Sequence, residues 1–589
     1  MTSSRFRLPR PHGFLVLACL CSLVSAPLWA GPPAAARPAA EGGRSFPADG
    51  AVPAVPAAAG TAAAALTAGE RGADAHLRAV RHDPRLLRRF FERLPKGGDL
   101  HNHLSGAVAT EYLIELAAGD GSCVDTSTMT AVAPPCRPGT RPASDARRDR
   151  TFHDAIVRAW SMQDFPADGD GHDHFFATFG KFERVAERHR GELLARVADE
   201  VARQNQFYLE TMITPVAEAA TDAAAAIGRD DDPARLHAGL TSGGRLDRLV
   251  ALARREADDT ERAFRAAAHC GTPSARPACD LPVRFISQVY RHGPAERVFT
   301  QMALGMRLAE RDPRFVAVNL VQPEDARPAT AGYRSHMRML AHLRSVYPRA
   351  RLTLHAGELW PGLVAPEDLR FHIREAVGVA GAERIGHGVA LVHEDHWPAT
   401  ARTMAAREIA VEVPFTSNAQ ILGVTGHDHP FDTYRRFGVP VVLATDDPGV
   451  SRTDISHEYQ YAARTYGLSY RELKDLARAS LEYAFLPGAG LWRGNPARDG
   501  YRPTPRCGGV RPGAGTPGAA CRALLGSSAK AAAQWRQEAA FHAFERHASQ
   551  GDFAVERSVE GQVGARAWGP WTSGHRAPSS PRTTTNRSL

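Results

Sequence analysis

The sequence predicts an α/β fold, a (β/α)8 TIM barrel with a helical N-terminal lead-in and disordered termini. Three observations lead to it: eight short apolar runs, helical patterns between several of them, and ionisable residues at the ends of four runs. Strands that alternate with helices indicate a parallel sheet, and eight such units close into a barrel. A chain of 589 residues has room for one barrel with extensions.

The predicted strands are spread over about 350 residues, and helical patterns such as 181–205 separate several of them. Each run is short, apolar and rich in residues that favour strands. The eight strands are Gly98–Leu104, Phe207–Ile213, Val283–Tyr290, Phe315–Val321, Leu352–Glu358, Arg384–Val389, Ala410–Thr416 and Val441–Thr445.

The first 30 residues have the pattern of a secretory signal. Three arginines within residues 5–10 precede an apolar run from Phe14 to about Ala26, and small residues follow. The run is too short and too poorly flanked for a stable membrane span. A lipidated Cys19 is a weaker alternative. We therefore expect an exported protein, either periplasmic or secreted.

Composition divides the rest of the chain into three segments. Residues 31–75 are rich in Ala, Pro and Gly and are predicted to be a linker. Residues 76–548 are predicted to form the barrel domain. Residues 549–589 are polar and are predicted to be a disordered tail.

Six of the eight cysteines lie beyond the signal and form three pairs that are local in sequence. An even number of cysteines in short loops of an exported protein indicates disulfides, and free thiols are the alternative. We predict the pairs Cys123–Cys136, Cys270–Cys279 and Cys507–Cys521.

Charge argues against a nucleic-acid partner. The net charge is +8, but acidic residues are abundant and no dense Lys/Arg block stands in the middle of the chain. A small molecule is therefore the expected partner. The sequence does not indicate an oligomeric state.

Ionisable side chains follow four of the predicted strands. The first ends in His101-Asn102-His103, the fifth in His355-Ala356-Gly357-Glu358, the sixth in Gly386-His387-Gly388 and the eighth in Thr445-Asp446-Asp447. In a barrel of this kind the carboxyl ends of the strands meet at one face, where active sites lie. These side chains are therefore predicted to share one site.

The H-x-H pair suggests a metal. Residues two apart on a strand share a face, so His101 and His103 would both point into the barrel mouth. Neutral imidazoles suit zinc, and His355 and Asp446 could complete the set. Alone, the pattern is more typical of exposed or hydrogen-bonded histidines. The combination of four strand ends favours the metal.

The remaining strand-end residues suggest acid–base chemistry. Glu358, beside a metal, could serve as an acid or base, and an ordinary salt bridge is the alternative. His387 is flanked by glycines that let a ligand approach, and a structural histidine is the alternative. Asp446 and Asp447 would point in different directions, one toward the metal and one toward the substrate, unless the pair only starts a turn.

Taken together, these residues resemble the adenosine/AMP deaminase family of the metal-dependent amidohydrolases. The matching stretches, in order, are LPKGGDLHNHLSGA, LHAGE, RIGHGV, PFTSN and ATDDPGV, and the resemblance covers about Leu94 to Leu486. The helical lead-in, the signal and the loop cysteines look like the secreted, growth-factor-related branch of that family.

The resemblance implies a cofactor and a role for each residue. One Zn²⁺ per chain would be held by His101, His103, His355 and Asp446. Glu358 would protonate the purine ring nitrogen beside the reacting carbon. His387 would orient the attacking water, and Asp447 would hydrogen-bond another ring nitrogen.

Two positions depart from the family pattern. Ser105 stands where typical adenosine enzymes carry an aspartate that meets the ribose 5′-hydroxyl. Gln322 stands where a glycine usually approaches the purine. Both residues are predicted to contact the substrate. Because of these departures, the resemblance does not determine specificity for the sugar side of the substrate.

The resemblance therefore implies hydrolytic deamination of adenosine and 2′-deoxyadenosine to inosine-type products and ammonia. A related amidohydrolase acting on another aminopurine or a modified nucleoside is the alternative. A secreted nucleoside-binding or signalling protein without catalysis is the alternative of another class.

Overall fold

Eight parallel strands form the centre of the structure, a computed structural model that describes residues 65–166 and 169–550. Each strand pairs in parallel with the next one along the chain. The strands are β1 (Gly97–Asp99), β2 (Gln206–Ile213), β3 (Val283–Tyr290), β4 (Phe315–Val321), β5 (Arg351–Ala356), β6 (Arg384–His387), β7 (Ala410–Val413) and β8 (Val441–Leu443). The predicted (β/α)8 barrel is confirmed.

The barrel closes between β1 and β8, just beyond the carboxyl ends of both strands. The amide of His103 donates to the carbonyl of Asp446 over 3.0 Å, and the amide of Asp446 donates to the carbonyl of His101 over 2.9 Å. Asn102 and Asp446 thereby form a parallel bridge. The first and last strands thus meet through residues predicted to belong to the active site.

All eight strands lie where the sequence predicts them, but five end earlier. β5 ends just before Gly357 (φ 75°) and β6 ends at His387 (φ 63°), both with left-handed backbone, and Asp446 (φ 60°) follows three residues after the end of β8. A left-handed residue cannot continue a strand, so the chain turns away at these points. β1 gives way to the short helix Leu104–Ala107, and Pro414 follows the end of β7.

Helices flank the strands in chain order. Before β1 lie Ala68–Val80 and Pro84–Arg93, and between β1 and β2 lie Leu104–Ala107, Thr110–Gly119, Arg150–Trp160, Gly171–Arg188 and Arg190–Arg203. Ala217–Ile227, Pro233–Thr241 and Arg245–Ala267 precede β3, Ala295–Arg311 precedes β4, and Arg327–Val346 precedes β5. His372–Glu375 precedes β6, Trp397–Ala406 precedes β7, and Phe415–Leu422 and Phe431–Arg436 precede β8. Pro448–Ser451, Ile455–Thr465, Tyr470–Glu482, Pro496–Asp499, Ala519–Ser527 and Ala529–Gln550 follow β8.

The helical lead-in begins inside the segment predicted to be a linker. Thr67 caps the helix Ala68–Val80: its hydroxyl accepts from the amide of Glu70, whose carboxylate accepts from the amide of Thr67. This reciprocal capping box starts a helix despite the preceding Ala-rich composition. The helix thus begins at Ala68, within the segment 31–75 that the sequence assigns to the linker. The C-terminal helix likewise extends through Gln550, two residues into the predicted tail. The predicted signal, most of the linker and the rest of the tail lie outside the described residues.

Three helices meet at a buried ion cluster, which we call the helix junction. The ammonium of Lys474 donates to Glu70 over 3.1 Å and to Glu545 over 2.6 Å, and all three side chains are buried. Arg511 approaches the second oxygen of Glu545 at 3.4 Å. The junction joins the lead-in helix, the helix Tyr470–Glu482 and the C-terminal helix.

An insertion after β1 carries a small antiparallel sheet that the sequence did not predict. Its middle strand, Cys123–Asp125, pairs with Ala131–Val132 and with Thr140–Pro142. Strands of two or three residues are too short to leave a periodic pattern in the sequence.

The three predicted disulfides are confirmed: Cys123–Cys136, Cys270–Cys279 and Cys507–Cys521. Each closes a local loop, as the spacing of the cysteines predicts. Among the described residues, no helix combines the length and apolar character needed to cross a membrane.

Candidate active site

The carboxyl ends of β1, β5, β6 and β8 bring one cluster of buried side chains together. Ligand atoms of His101, His355, His387 and Asp446 all lie within 4.8 Å of one another, and all four residues are buried. A second set, His103, Asp446 and Asp447, satisfies the same distance. The strand-end residues predicted from the sequence therefore do share one site.

Asp446 lies at the centre of this cluster. Its Oδ1 is 3.3 Å from Nε2 of His101 and 3.2 Å from Nε2 of His103. Its Oδ2 accepts a hydrogen bond from the Ser417 hydroxyl over 2.6 Å. One carboxylate oxygen therefore faces two imidazole nitrogens, while the other is held in place.

Each of three imidazoles is anchored through its Nδ1. His101 contacts Glu412 at 2.7 Å, His103 contacts Gln288 at 3.2 Å, and His355 contacts Asn319 at 3.0 Å; these anchors come from β7, β3 and β4. A fixed Nδ1 fixes the ring orientation and leaves Nε2 as the ligand atom, as is usual for histidines that bind a metal.

Several polar atoms at the centre have no hydrogen-bond partner. They are Nε2 of His101, Nε2 of His387, Oδ1 of Asp446 and Oδ1 of Asp447, and all are buried. Leaving buried polar atoms without partners costs stability, so a ligand at this point is expected. Imidazole nitrogens and carboxylate oxygens with this arrangement fit a divalent cation such as zinc.

The structure leaves two candidates for one ligand position. The sequence predicts His101, His103, His355 and Asp446 as ligands, whereas the tightest group contains His387 instead of His103. His387 differs from the others because its Nδ1 contacts the amide oxygen of Asn418 at 2.8 Å, and its Nε2 lies 4.0 Å from Asp446. Burial is the main reason that the pKa of His387 is lowered to about 4, so its ring is neutral.

Glu358 is a buried carboxyl beside the cluster. Its Oε1 lies 3.6 Å from Nδ1 of His387. Burial raises the pKa of Glu358 well above its usual value, and the nearby charges of Asp446 and Glu324 raise it further. A raised pKa favours the protonated form of this carboxyl, which can donate its proton.

The carboxylate of Asp447 lies against the helix after β1, and one of its oxygens is within 4.8 Å of ligand atoms of His103 and Asp446. A Cβ atom added to Gly106 would lie 1.9 Å from Oδ1 of Asp447, so only glycine fits at this position. Burial and the charge of Asp446 raise the pKa of Asp447, while His103 lowers it, and the net direction is upward.

The two departures from the family pattern follow different strands, Ser105 after β1 and Gln322 after β4. Ser105 is half-buried in the helix Leu104–Ala107, next to Gly106. Gln322 has left-handed backbone (φ 82°), and its side-chain oxygen accepts from the amide of His292 over 3.0 Å. The oxygen of Gln322 is thus engaged by the end of β3, which leaves its amide nitrogen for other contacts.

Sequence reasoning missed the residues that anchor the imidazoles. Glu412 is the clearest case: it also accepts from the Thr353 hydroxyl over 2.7 Å and pairs with buried Arg384. Arg384 and the other contacts lower the pKa of Glu412 to about 2, against the effect of burial. A signal was present for two of them, since Asn319 and Glu412 are each a lone polar residue inside an apolar strand, whereas Gln288 shares its strand with Arg284 and Ser287.

Comparison with known proteins gives the family. The family described as adenosine deaminase matches residues 166–490, which is more than half of the chain. This chain belongs to the adenosine deaminase family. The matched range includes the ends of β5, β6 and β8 but begins after β1. His101 and His103 lie outside it, and their place in the site follows from their distances to Asp446.

Individual relatives of this adenosine deaminase family member match smaller parts of it. An adenosine deaminase of Pectobacterium atrosepticum is 35% identical over 213 residues, which cover 35% of this chain and 56% of that protein. One from Shewanella loihica is 40% identical over 136 residues, covering 23% of this chain and 38% of that protein. The matches therefore span about half or less of the length of these curated relatives.

Among solved structures, an N6-methyl-AMP deaminase from Arabidopsis thaliana is similar to this chain. The TM-score is 0.44 at 21% identity, and the match covers 68% of this chain and 94% of that one.

Proposed function

We propose that this protein is a zinc-dependent hydrolase that deaminates adenosine and 2′-deoxyadenosine, with release of ammonia. Family membership supports the reaction type. One observation favours it most: a buried carboxyl with a raised pKa, Glu358, lies beside a set of imidazoles and a carboxylate whose inner atoms have no hydrogen-bond partners. Deamination needs such a proton donor next to a source of nucleophile.

His101, His103, His355 and Asp446 would hold the zinc, with His387 as the alternative to His103. Bound zinc would lower the pKa of a water molecule toward neutrality and so supply hydroxide as the nucleophile. The anchors Glu412, Gln288 and Asn319 would keep the imidazoles aimed at the ion without help from substrate.

The other side chains would act on the purine and on the water. Glu358 donates its proton to the ring nitrogen beside the reacting carbon, which offsets the charge that builds up on the ring during attack. His387 is neutral, so its Nε2 accepts a hydrogen bond from the attacking water and orients it. Asp447, whose raised pKa favours the neutral form, can donate a hydrogen bond to a second ring nitrogen.

Ser105, expected at the sugar, and Gln322, expected at the purine, favour no single substrate, and this supports a second candidate function within the same reaction type. Ser105 offers a hydroxyl without charge, and Gln322 is bulkier than glycine and tied to His292. A related aminopurine or modified nucleoside could fit the site instead of adenosine. A nucleoside-binding protein without catalysis would not need the proton donor Glu358.

A substrate panel with metal analysis tests these alternatives. The full chain, loaded with zinc, is incubated with adenosine, 2′-deoxyadenosine, adenine, AMP and N6-methyl-AMP while ammonia release is measured. We expect the highest kcat/KM for the two nucleosides and one zinc per chain. Preference for adenine or a nucleotide would favour the second candidate, and binding without turnover would contradict an enzymatic role.

We also propose that the protein is exported, which the three disulfides and the N-terminal charge and hydropathy pattern support. Disulfides persist in oxidising compartments and are rare in reducing ones. Fractionation of cells that express the full chain would test this, because a protein retained with its N-terminus in the cytosol would contradict export.

A further inference from the structure

A buried glutamate behind the active site holds the backbone of the proposed proton donor. Glu324 follows β4 in the segment VQPED and is buried. Its Oε1 accepts from the amide of Gly357 over 3.0 Å, and its Oε2 accepts from the amide of Glu358 over 2.9 Å. One carboxylate thus binds two consecutive amides, one of which belongs to Glu358 itself.

These two amides lie beyond the reach of the sheet. The pairing of β4 with β5 ends at Val318 with Leu352, and Gly357 has left-handed backbone (φ 75°). The chain turns there, so its amides need other acceptors. Glu324 supplies them, and it therefore sets the direction in which Glu358 leaves the strand end.

Glu324 is itself fixed by two cationic or polar neighbours. Nδ1 of His372 contacts its Oε1 at 2.5 Å, and the guanidinium of Arg291 lies 3.9 Å from its Oε2. Arg291 also donates to the carbonyls of Leu320 and Val321 at the end of β4. Burial would raise the pKa of Glu324, but these contacts lower it, so Glu324 is a charged acceptor.

We infer that Glu324 is a positioning residue for the proposed reaction: it holds the Gly357–Glu358 backbone so that the carboxyl of Glu358 faces the substrate ring. This inference rests on the proposed function of Glu358. Glutamine at position 324 keeps the size but presents an NH₂ group to one of the two amides, which breaks that contact. Misplacing a reacting group by about 1 Å can cost about 100-fold in rate.

The chain offers a matched control in Glu394. This residue is also buried, and its two carboxylate oxygens also accept from two consecutive amides, those of Ile373 and Arg374. Neither of these amides belongs to residue 357 or 358. Glu394→Gln therefore removes a buried carboxylate with the same two-amide geometry, away from the amides of Gly357 and Glu358. The match is in geometry and not in charge, because burial raises the pKa of Glu394 to about 8, whereas that of Glu324 is lowered.

The test compares Glu324→Gln, Glu394→Gln and the unaltered zinc-loaded protein on the best substrate of the panel. For Glu324→Gln we expect kcat to fall about 10- to 100-fold, with KM within about threefold and zinc content unchanged. Glu394→Gln should keep kcat within about threefold. Equal kcat values for the two variants would overturn the inference, as would a loss explained entirely by lost zinc.

Amide hydrogen exchange gives a readout that does not depend on turnover. Peptides spanning residues 353–361 should exchange faster in Glu324→Gln than in Glu394→Gln, because the two amides lose a charged acceptor. Unchanged exchange would overturn the inference even if activity fell. If no panel substrate turns over, the proposed function fails, and the exchange comparison still decides whether Glu324 holds this segment.

Glu324→Asp is a second test variant, for use if Glu324→Gln does not fold. It keeps the charge but is shorter by one methylene, so we expect a smaller fall in kcat than for any neutral replacement. If Glu324→Asp had full activity and unchanged amide exchange, the longer side chain of glutamate would not be needed, and the inference would be contradicted.

Discussion

Two buried clusters of charged side chains in this molecule differ in how completely their members are paired. At the helix junction, Lys474 contacts both Glu70 and Glu545, and Arg511 approaches the remaining oxygen of Glu545. At the barrel mouth, burial and the charge of Asp446 raise the pKa values of Glu358 and Asp447, and inner polar atoms of the cluster have no hydrogen-bond partner.

The difference shows which buried charges indicate a function. Burial alone does not, since both clusters are buried. Pairing within the junction leaves no role for a ligand, so it acts on stability. Unmatched donors and acceptors at the mouth cost stability unless a ligand completes them, as expected of a cluster that acts in the proposed reaction.

Removing the proposed proton donor should give the largest effect. For Glu358→Gln we expect ammonia release to fall about 100- to 10,000-fold, because the purine ring is no longer protonated. Zinc content and thermal stability should be retained. Glu367→Gln, at an exposed position, is the control, and a Glu358→Gln protein with normal turnover would remove the functional meaning of the mouth cluster.

Breaking the junction should affect stability and leave chemistry intact. Lys474→Met leaves Glu70 and Glu545 buried without their shared cation, which should lower the free energy of unfolding by about 3–5 kcal/mol. Activity per folded molecule should not change. Adding Glu70→Gln and Glu545→Gln removes the unpaired charges and should recover much of the loss in urea unfolding; a triple variant no more stable than Lys474→Met would contradict this account.

Glu412→Gln tests how far the mouth depends on its anchors. The variant loses the charged acceptor on Nδ1 of His101, and zinc affinity should fall about 10- to 100-fold in competition with a chelator. Glu210→Gln is the matched control, because Glu210 pairs with the same Arg384 but contacts no ligand histidine. Equal zinc affinities for the two variants would show that zinc affinity depends on the Arg384 ion pair and not on the contact between Glu412 and His101.

The smallest expected effect is on the pH dependence of stability, and it comes from Glu70 at the helix junction. Burial would raise the pKa of Glu70, but Lys474 and the Thr67 amide lower it from 4.5 to about 2. Because the folded state favours the ionised form, Glu70 stabilises the protein above about pH 4.5, and this contribution is lost as the pH falls toward about 2. The stability gap between the unaltered chain and Glu70→Gln should therefore narrow over that interval in urea unfolding, and a constant gap would contradict the assigned role of the charge.

The sequence predicts the barrel well because its strands are buried and regularly spaced. It predicts the members of the mouth cluster because strand ends in a barrel converge whatever lies between them. It does not predict the anchors Glu412, Asn319 and Gln288, because which strand lies across from which ring depends on register in three dimensions. Nor does it show that Thr67 and Glu70 form a capping box that starts a helix within an Ala-rich segment.

The seam between β1 and β8 has a consequence for how the protein matures. His101, His103 and Asp446 belong to the proposed ligand set, and their backbone groups also join the two strands. About 340 residues separate His103 from Asp446, so during synthesis the two can meet only after that length of chain has been made. A metal held by the proposed ligands would add its binding free energy to the closure of the ring. Chelation should therefore loosen this joint before any other pair of neighbouring strands.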